Sequence, residues 1–166
     1  MSTDAIVLLK DEHQQIRKAF RAFEKAGENA HVAQGKAVDR IIELLTVHTY
    51  IENEVMYPRV RDLLPEVEGD VLESYEEHHV ADVLVMELAT MAPGDERFVA
   101  KTTVLIENVE HHIAEEEDEW FPQVREGLGR RVLQEIGAEM IEARKQAPTR
   151  PSQPSALKKT IDAVID

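Results

Sequence analysis

The stretch HTYIE, residues His48–Glu52 with Pro58 shortly after it, recurs as HIAEE, residues His112–Glu116 with Pro122 after it. In both copies a Glu lies four residues after a His and a Pro lies ten residues after it. Residues four apart share one face of a helix, so each copy sets an imidazole beside a carboxylate. Each copy is therefore a candidate pair of metal ligands.

Apolar residues recur at steps of three and four on both sides of these two stretches, which is the period of a helix with one buried face. Capping residues, Gly and Pro separate the periodic segments. The predicted helices run from about Thr3 to Ala26, Gly35 to Leu64, Val67 to Met91, Asp95 to Arg125 and Gly129 to Ala147, with a short amphipathic tail helix from Ala156 to Asp166. The sequence thus predicts an all-α protein.

Each of the first four predicted helices carries a histidine within its apolar face: His13, His48, His78 and His112. Short loops make successive helices antiparallel, so we expect an up-down-up-down four-helix bundle in which these imidazoles meet at one level. An additional C-terminal helix completes a bundle domain over residues 1–147. Residues 148–166 are predicted to form a Pro-containing linker and the tail helix.

Imidazoles and carboxylates in a bundle core cost several kcal/mol unless they are paired or bind a metal. One hydrogen bond can satisfy a single buried histidine, but six such side chains on four helices indicate a shared metal site. The predicted metal ligands are His13, His48, Glu52, His78, His112 and Glu116. Glu117 stays open as an alternative to Glu116, because one residue of register is within the error of reading a helix from sequence.

The types of ligand favour iron over other metals. The chain has no Cys, which excludes thiolate sites. Four imidazoles and two carboxylates are more ligands than one tetrahedral zinc ion binds. They also include too few oxygen ligands for calcium or magnesium. We expect two iron ions bridged by both carboxylates and by an oxo or hydroxo group, with about two coordination positions open to a small ligand.

These residues together resemble the hemerythrin-like family, also called the HHE cation-binding domain, over about residues 3 to 125. The resemblance implies a histidine ligand on each of four helices and two carboxylate ligands. By position, His13 and His78 correspond to the ligands of the first and third helices, and the pairs His48 with Glu52 and His112 with Glu116 to those of the second and fourth.

The chain departs from the oxygen-carrying hemerythrins at two positions. Those proteins resemble it but have a fifth histidine one turn before the ligand of the third helix, where this chain has Ser74. Their last carboxylate comes five residues after its histidine, which would select Glu117. Tyr75 and His79 are the candidates for a local substitute ligand, and the departures argue against simple reversible oxygen carriage.

The formal net charge of −14 opposes binding to nucleic acid and to anionic membranes. No stretch has the features of a signal peptide or a membrane span, so we expect a cytoplasmic protein. The leading hypothesis is a non-haem di-iron protein that binds dioxygen, nitric oxide or peroxide. The alternatives are a redox enzyme that consumes peroxide or nitric oxide, and an iron or oxygen sensor that signals to a protein partner through the C-terminal tail.

Overall fold

The structure, a computed structural model, describes residues 3–151, and within that range it is an all-helical bundle without β-strands. The predicted fold class is confirmed. The helices are α1 (Ala5–Lys25), α2 (His31–Ile51), α3 (Tyr57–Leu63), α4 (Glu68–Ala89), α5 (Phe98–Glu115) and α6 (Phe121–Arg144). The predicted tail helix from Ala156 to Asp166 lies outside the described residues. None of the described helices has the length and apolar character needed to cross a membrane.

A turn of π-helix joins α2 to α3 over Glu52–Met56, and a second joins α5 to α6 over Glu116–Trp120. In the first, the N–H of Tyr57 donates to the carbonyl of Glu52, five residues back. The second repeats this bond from Phe121 to Glu116. Each turn falls where the next helix has Pro in its first turn, a position that tolerates the missing N–H. The repeated sequence therefore builds two long helical rods, one from α2 to α3 and one from α5 to α6. Each rod has one extra residue at its π turn.

Two helix boundaries differ from the prediction. Helix α2 begins at His31, four residues before Gly35, because the loop after α1 is shorter than the Gly spacing indicates. The predicted fourth helix covers α5, the second π turn and the first part of α6, and it continues past Arg125 to Gly129, where α6 bends and the predicted fifth helix begins. This residue has a φ of 72°, in the left-handed region that favours glycine, so the chain turns there without leaving a loop.

The core divides into two apolar clusters with a polar layer between them. One cluster includes Leu9, Val71 and Ile136, and the other includes Phe20, Ile41 and Leu105. The second half of α6 covers the first cluster. The polar layer contains the histidines and glutamates that the sequence predicts as metal ligands.

Candidate metal centre

Six buried side chains meet in the polar layer, and each is 5% exposed or less. His13 comes from α1 and His78 from α4, whereas the two rods each contribute a His and the Glu four residues after it. The six residues are His13, His48, Glu52, His78, His112 and Glu116. The structure thus brings together the whole set of candidate ligands named from the sequence.

One half of the centre, the first position, consists of His13, His48, Oε1 of Glu52 and Oε2 of Glu116. One candidate ligand atom from each residue lies within 4.8 Å of the others. His13 Nε2 is 3.2 Å from Glu116 Oε2, and His48 Nε2 is 3.3 Å from Glu52 Oε1. All four atoms are buried without a hydrogen-bond partner. Such atoms are costly to leave unsatisfied, and a cation is the partner that suits all four at once.

The other half, the second position, consists of His78, His112, Oε2 of Glu52 and Oε1 of Glu116. His78 Nε2 lies 3.0 Å from Glu52 Oε2, and His112 Nε2 lies 3.4 Å from Glu116 Oε1. Each carboxylate therefore turns one oxygen towards each position. Two carboxylates arranged in this way could each bind a cation at both positions.

Tyr57 enters the second position and was not among the predicted site residues. Its hydroxyl donates to Glu116 Oε1 at 2.7 Å and lies 3.1 Å from Glu52 Oε2. The same oxygen is 3.1 Å from His78 Nε2 and 3.3 Å from His112 Nε2. Tyr57 is itself fully buried. The phenol is therefore a further candidate ligand and a source of one proton inside the centre.

The outer nitrogen of each histidine donates to a side chain behind it. The contacts of Nδ1 are His13 to Glu117 at 2.8 Å, His48 to Glu12 at 2.6 Å, His112 to Glu77 at 2.9 Å and His78 to Asn53 at 2.8 Å. These bonds orient the rings and leave Nε2 of each one directed at the centre. Arg17 binds Glu117, and Arg144 pairs with Glu12, so two of the supporting carboxylates are themselves held by guanidinium groups.

The charges of the metal-free centre balance through protons. Burial lowers the pKa of His48 to about 4, so this imidazole is neutral. Burial would also lower the pKa of His13, but the Glu116 and Glu117 carboxylates raise it to about 9. The hydrogen bond from His13 lowers the pKa of Glu117 to about 2. Burial and the two central carboxylates raise the pKa of Tyr57 well above its usual range, which keeps the phenol protonated. A bound metal would take the place of protons at such sites.

The remaining residues weighed from the sequence lie around the centre. Glu117 contacts the outer face of His13, whereas Glu116 faces inward. The hydroxyl of Tyr75 reaches the backbone carbonyl of Asn53 at 3.5 Å, and its ring packs edge-on against Tyr57. Ser74 is buried on α4, and the neighbouring His79 is half-buried there.

A small cavity of about 10 Å³ adjoins the centre between α2, α4 and α5. Its walls include the imidazoles of His48, His78 and His112 and the apolar side chains of Leu45, Ala81 and Val109. This is about the space of one water molecule. The larger cavities, of about 670 and 570 Å³, are lined by other residues at the surface. The space beside the histidines therefore holds at most a molecule about the size of water and excludes organic molecules.

Comparison with known proteins places the chain among metal-binding helical bundles. Residues 4–124 match the family described as the hemerythrin HHE cation binding domain. A solved structure of a hemerythrin HHE cation binding domain-containing protein from Mycobacterium kansasii superposes with a TM-score of 0.70 over 86% of each chain, at 21% identity. A curated relative from Nostoc sp., named a DNA nickase, is 24% identical over 143 residues. That match covers 86% of this chain but only 40% of the relative.

Proposed function

Since the chain belongs to the hemerythrin HHE cation-binding family, we propose that it is a non-haem di-iron protein that binds dioxygen, nitric oxide or peroxide at open iron positions. The observation that carries this proposal is the set of four buried ligand atoms in the first position that have no hydrogen-bond partner. The chemistry of the donors suits iron, because imidazole and carboxylate ligands occur without any thiolate.

The residues that would hold the iron pair follow from the direction of their donor atoms. His13 and His48 would bind one ion, His78 and His112 the other, and the glutamates would bridge them. Iron bound there would supply coordination positions for a small ligand and one-electron redox chemistry. The protein supplies the orientation of the imidazoles through their outer hydrogen bonds, and it excludes bulk water by closing the apolar clusters above and below the layer.

A small ligand is supported by the cavity beside His48, His78 and His112. The apolar walls at Leu45, Ala81 and Val109 favour an uncharged molecule, and the volume restricts its size. We infer that this cavity is the route by which a ligand reaches the metal pair.

Metal analysis of the purified chain, loaded anaerobically with Fe²⁺, tests the proposal. We expect two iron ions per chain in the wild type and a loss of iron in His112→Ala. His111→Ala is the matched control, because this neighbouring imidazole is 68% exposed and pairs with Glu115 outside the centre. A wild-type chain that binds no iron, or a His112→Ala variant that keeps both ions, would contradict the proposal.

The same preparation separates a binding protein from a redox enzyme. Stoichiometric binding of nitric oxide or azide without turnover is the result expected for a carrier or sensor. Steady-state consumption of hydrogen peroxide that disappears in His112→Ala, with the fold retained, would assign the alternative function of a redox enzyme.

The activity named for the Nostoc relative is not carried over to this chain. The formal net charge is −14, and DNA phosphates repel a protein with such an excess of acidic groups. The match also covers less than half of that relative. We therefore expect no nicking of supercoiled plasmid by the iron-loaded chain.

A further inference from the structure

The repeat relates the two halves of the centre closely enough for their supporting residues to be compared one by one. Asn53 directly follows the bridging Glu52, as Glu117 directly follows the bridging Glu116. Glu117 accepts the outer N–H of His13 at 2.8 Å, and Asn53 accepts that of His78 at 2.8 Å. The two supporting groups thus occupy equivalent places.

The chemistry of these two groups differs although their geometry is the same. A carboxylate behind an imidazole makes the ring a more basic metal ligand, and loss of such a partner costs about 10- to 100-fold in metal affinity. Asn53 offers only a neutral amide oxygen to His78. His13, His48 and His112 are each supported by a glutamate, so His78 is the weakest donor among the four histidines of the centre.

A second difference lies at the aromatic residue nine positions after each repeat histidine, which is Tyr57 in one half and Phe121 in the other. The ring of Phe121 stacks on His13 at a centroid distance of 6.0 Å and brings no polar atom. The hydroxyl of Tyr57 instead lies within 3.3 Å of four candidate ligand atoms of the second position.

The consequence concerns the protein without metal. The first position leaves four buried atoms without a hydrogen bond, so a cation that enters it displaces only the His–Glu contacts at 3.2 and 3.3 Å. A cation that enters the second position must also displace the hydrogen bonds of the Tyr57 hydroxyl. Both differences weaken metal binding at the second position. Asn53 makes His78 a weaker ligand there, and the hydroxyl of Tyr57 already bonds to the ligand atoms of the same position.

We infer that the two metal positions fill in order, the first before the second, and that Asn53 is the positioning residue that keeps the second position weaker and its ion exchangeable. This inference rests on the proposed dinuclear function. At limiting metal the chain then holds one ion between His13 and His48, and the second ion reports the supply of metal.

Anaerobic titration of the metal-free full-length chain with Co²⁺, against a chelator of known affinity, tests the order. We expect two binding steps in the wild type, separated by about 10-fold or more in affinity. Asn53→Asp, a substitution of equal size, should tighten the second step about 10-fold and leave the first unchanged. Glu117→Gln is the matched variant in the other half and should weaken only the first step. Each single variant should therefore bring the two steps closer together, and for a wild-type separation of about 10-fold the double variant should reverse their order.

Denaturation of the metal-free variants by urea shows whether the effect is merely structural. If a substitution changes the free energy of metal binding by more than it changes the free energy of unfolding, the supporting group itself is the cause. Two equal steps in the wild type, or an Asn53→Asp variant that tightens the first step, would overturn the order. Glu117→Gln keeps the test decisive if Asn53→Asp fails to fold. Absence of any bound metal would instead refute the proposed function itself.

Discussion

The hydroxyl of Tyr57 donates to Oε1 of Glu116 at 2.7 Å and so connects the aromatic residue of one half of the repeat to the buried carboxylate of the other. The two residues are 59 positions apart in the chain. The phenol contacts four candidate ligand atoms of the second position, so we expect it to contribute to stability in the absence of metal.

Tyr57→Phe should therefore destabilise the metal-free protein by about 1–3 kcal/mol, the cost of leaving buried polar atoms without a donor. Urea denaturation in the presence of chelator measures this free energy. Tyr75→Phe is the control, because the Tyr75 hydroxyl makes only a 3.5 Å contact with a backbone carbonyl and should cost less than about 0.5 kcal/mol. Equal losses in the two variants would argue against the network around Tyr57.

Removal of metal should lower the thermal stability of the chain. At free metal about 100 times the dissociation constant, each site contributes about 2.7 kcal/mol of stability. For a chain of this size the midpoint should fall by about 5–10 °C for each ion removed, and by about 10–20 °C when chelation removes both. In His48→Ala, which lacks a candidate ligand of the first position, the response of the midpoint to chelator should fall by about half, and differential scanning calorimetry with and without chelator makes the comparison.

The six central residues could be predicted because steps of three and four place them on the buried faces of helices. Burying that many imidazoles and carboxylates costs free energy unless they share a binding partner such as a metal. Tyr57 could not be found in this way. In an unbroken α-helix it would point away from the face that carries His48 and Glu52, and the extra residue of the π turn brings it back. The residues that accept the outer N–H of each histidine could not be predicted from the sequence either. Glu12, for example, precedes His13 in the chain but accepts from His48 on another helix.

Ala81→Leu should fill the cavity beside the centre, since Ala81 is one of its apolar walls and is buried on α4. We expect binding of nitric oxide or azide to slow by about tenfold, equivalent to about 1.4 kcal/mol of added barrier, with the iron content unchanged. Stopped-flow absorption measures the rate, and Ala81→Ser, which keeps the volume small, serves as control. An unaltered rate in Ala81→Leu would exclude this cavity as the route.

Gly137→Ala should destabilise the bundle through the contact between α6 and the start of α1. A Cβ at this position would lie 1.6 Å from the carbonyl oxygen of Thr3 and 3.0 Å from the nitrogen of Ala5, so the backbone of α1 would have to move. We expect a loss of at least about 2–3 kcal/mol in urea denaturation. Gly69→Ala on α4 is the matched control, because it meets nothing within 4 Å and should be neutral or stabilising by up to about 1 kcal/mol.

Asp4 provides a dependence of stability on pH that is independent of the metal. Its side chain caps α1 by accepting the N–H of Val7 at 3.1 Å, and both oxygens accept from Arg125 at 3.0 Å. Burial raises the pKa of Asp4, but Arg125 and the Val7 N–H outweigh it and lower the pKa below 3.8. The unfolded chain then binds more protons in acid, so this contribution is complete above about pH 4 and is lost as the pH falls through the lowered pKa.

Asp4→Asn keeps the cap but removes the charge, so at pH 7 it should cost about 0.5–1 kcal/mol, a small value because Arg125 is 46% exposed and solvent screens the pair. Asp4→Ala also loses the cap and should cost about 1 kcal/mol more. The difference between wild type and Asp4→Asn should shrink in urea titrations as the pH is lowered from 7 to 3. A difference that stays constant over this range would show that the charge of Asp4 contributes nothing, and that the cap alone accounts for its effect.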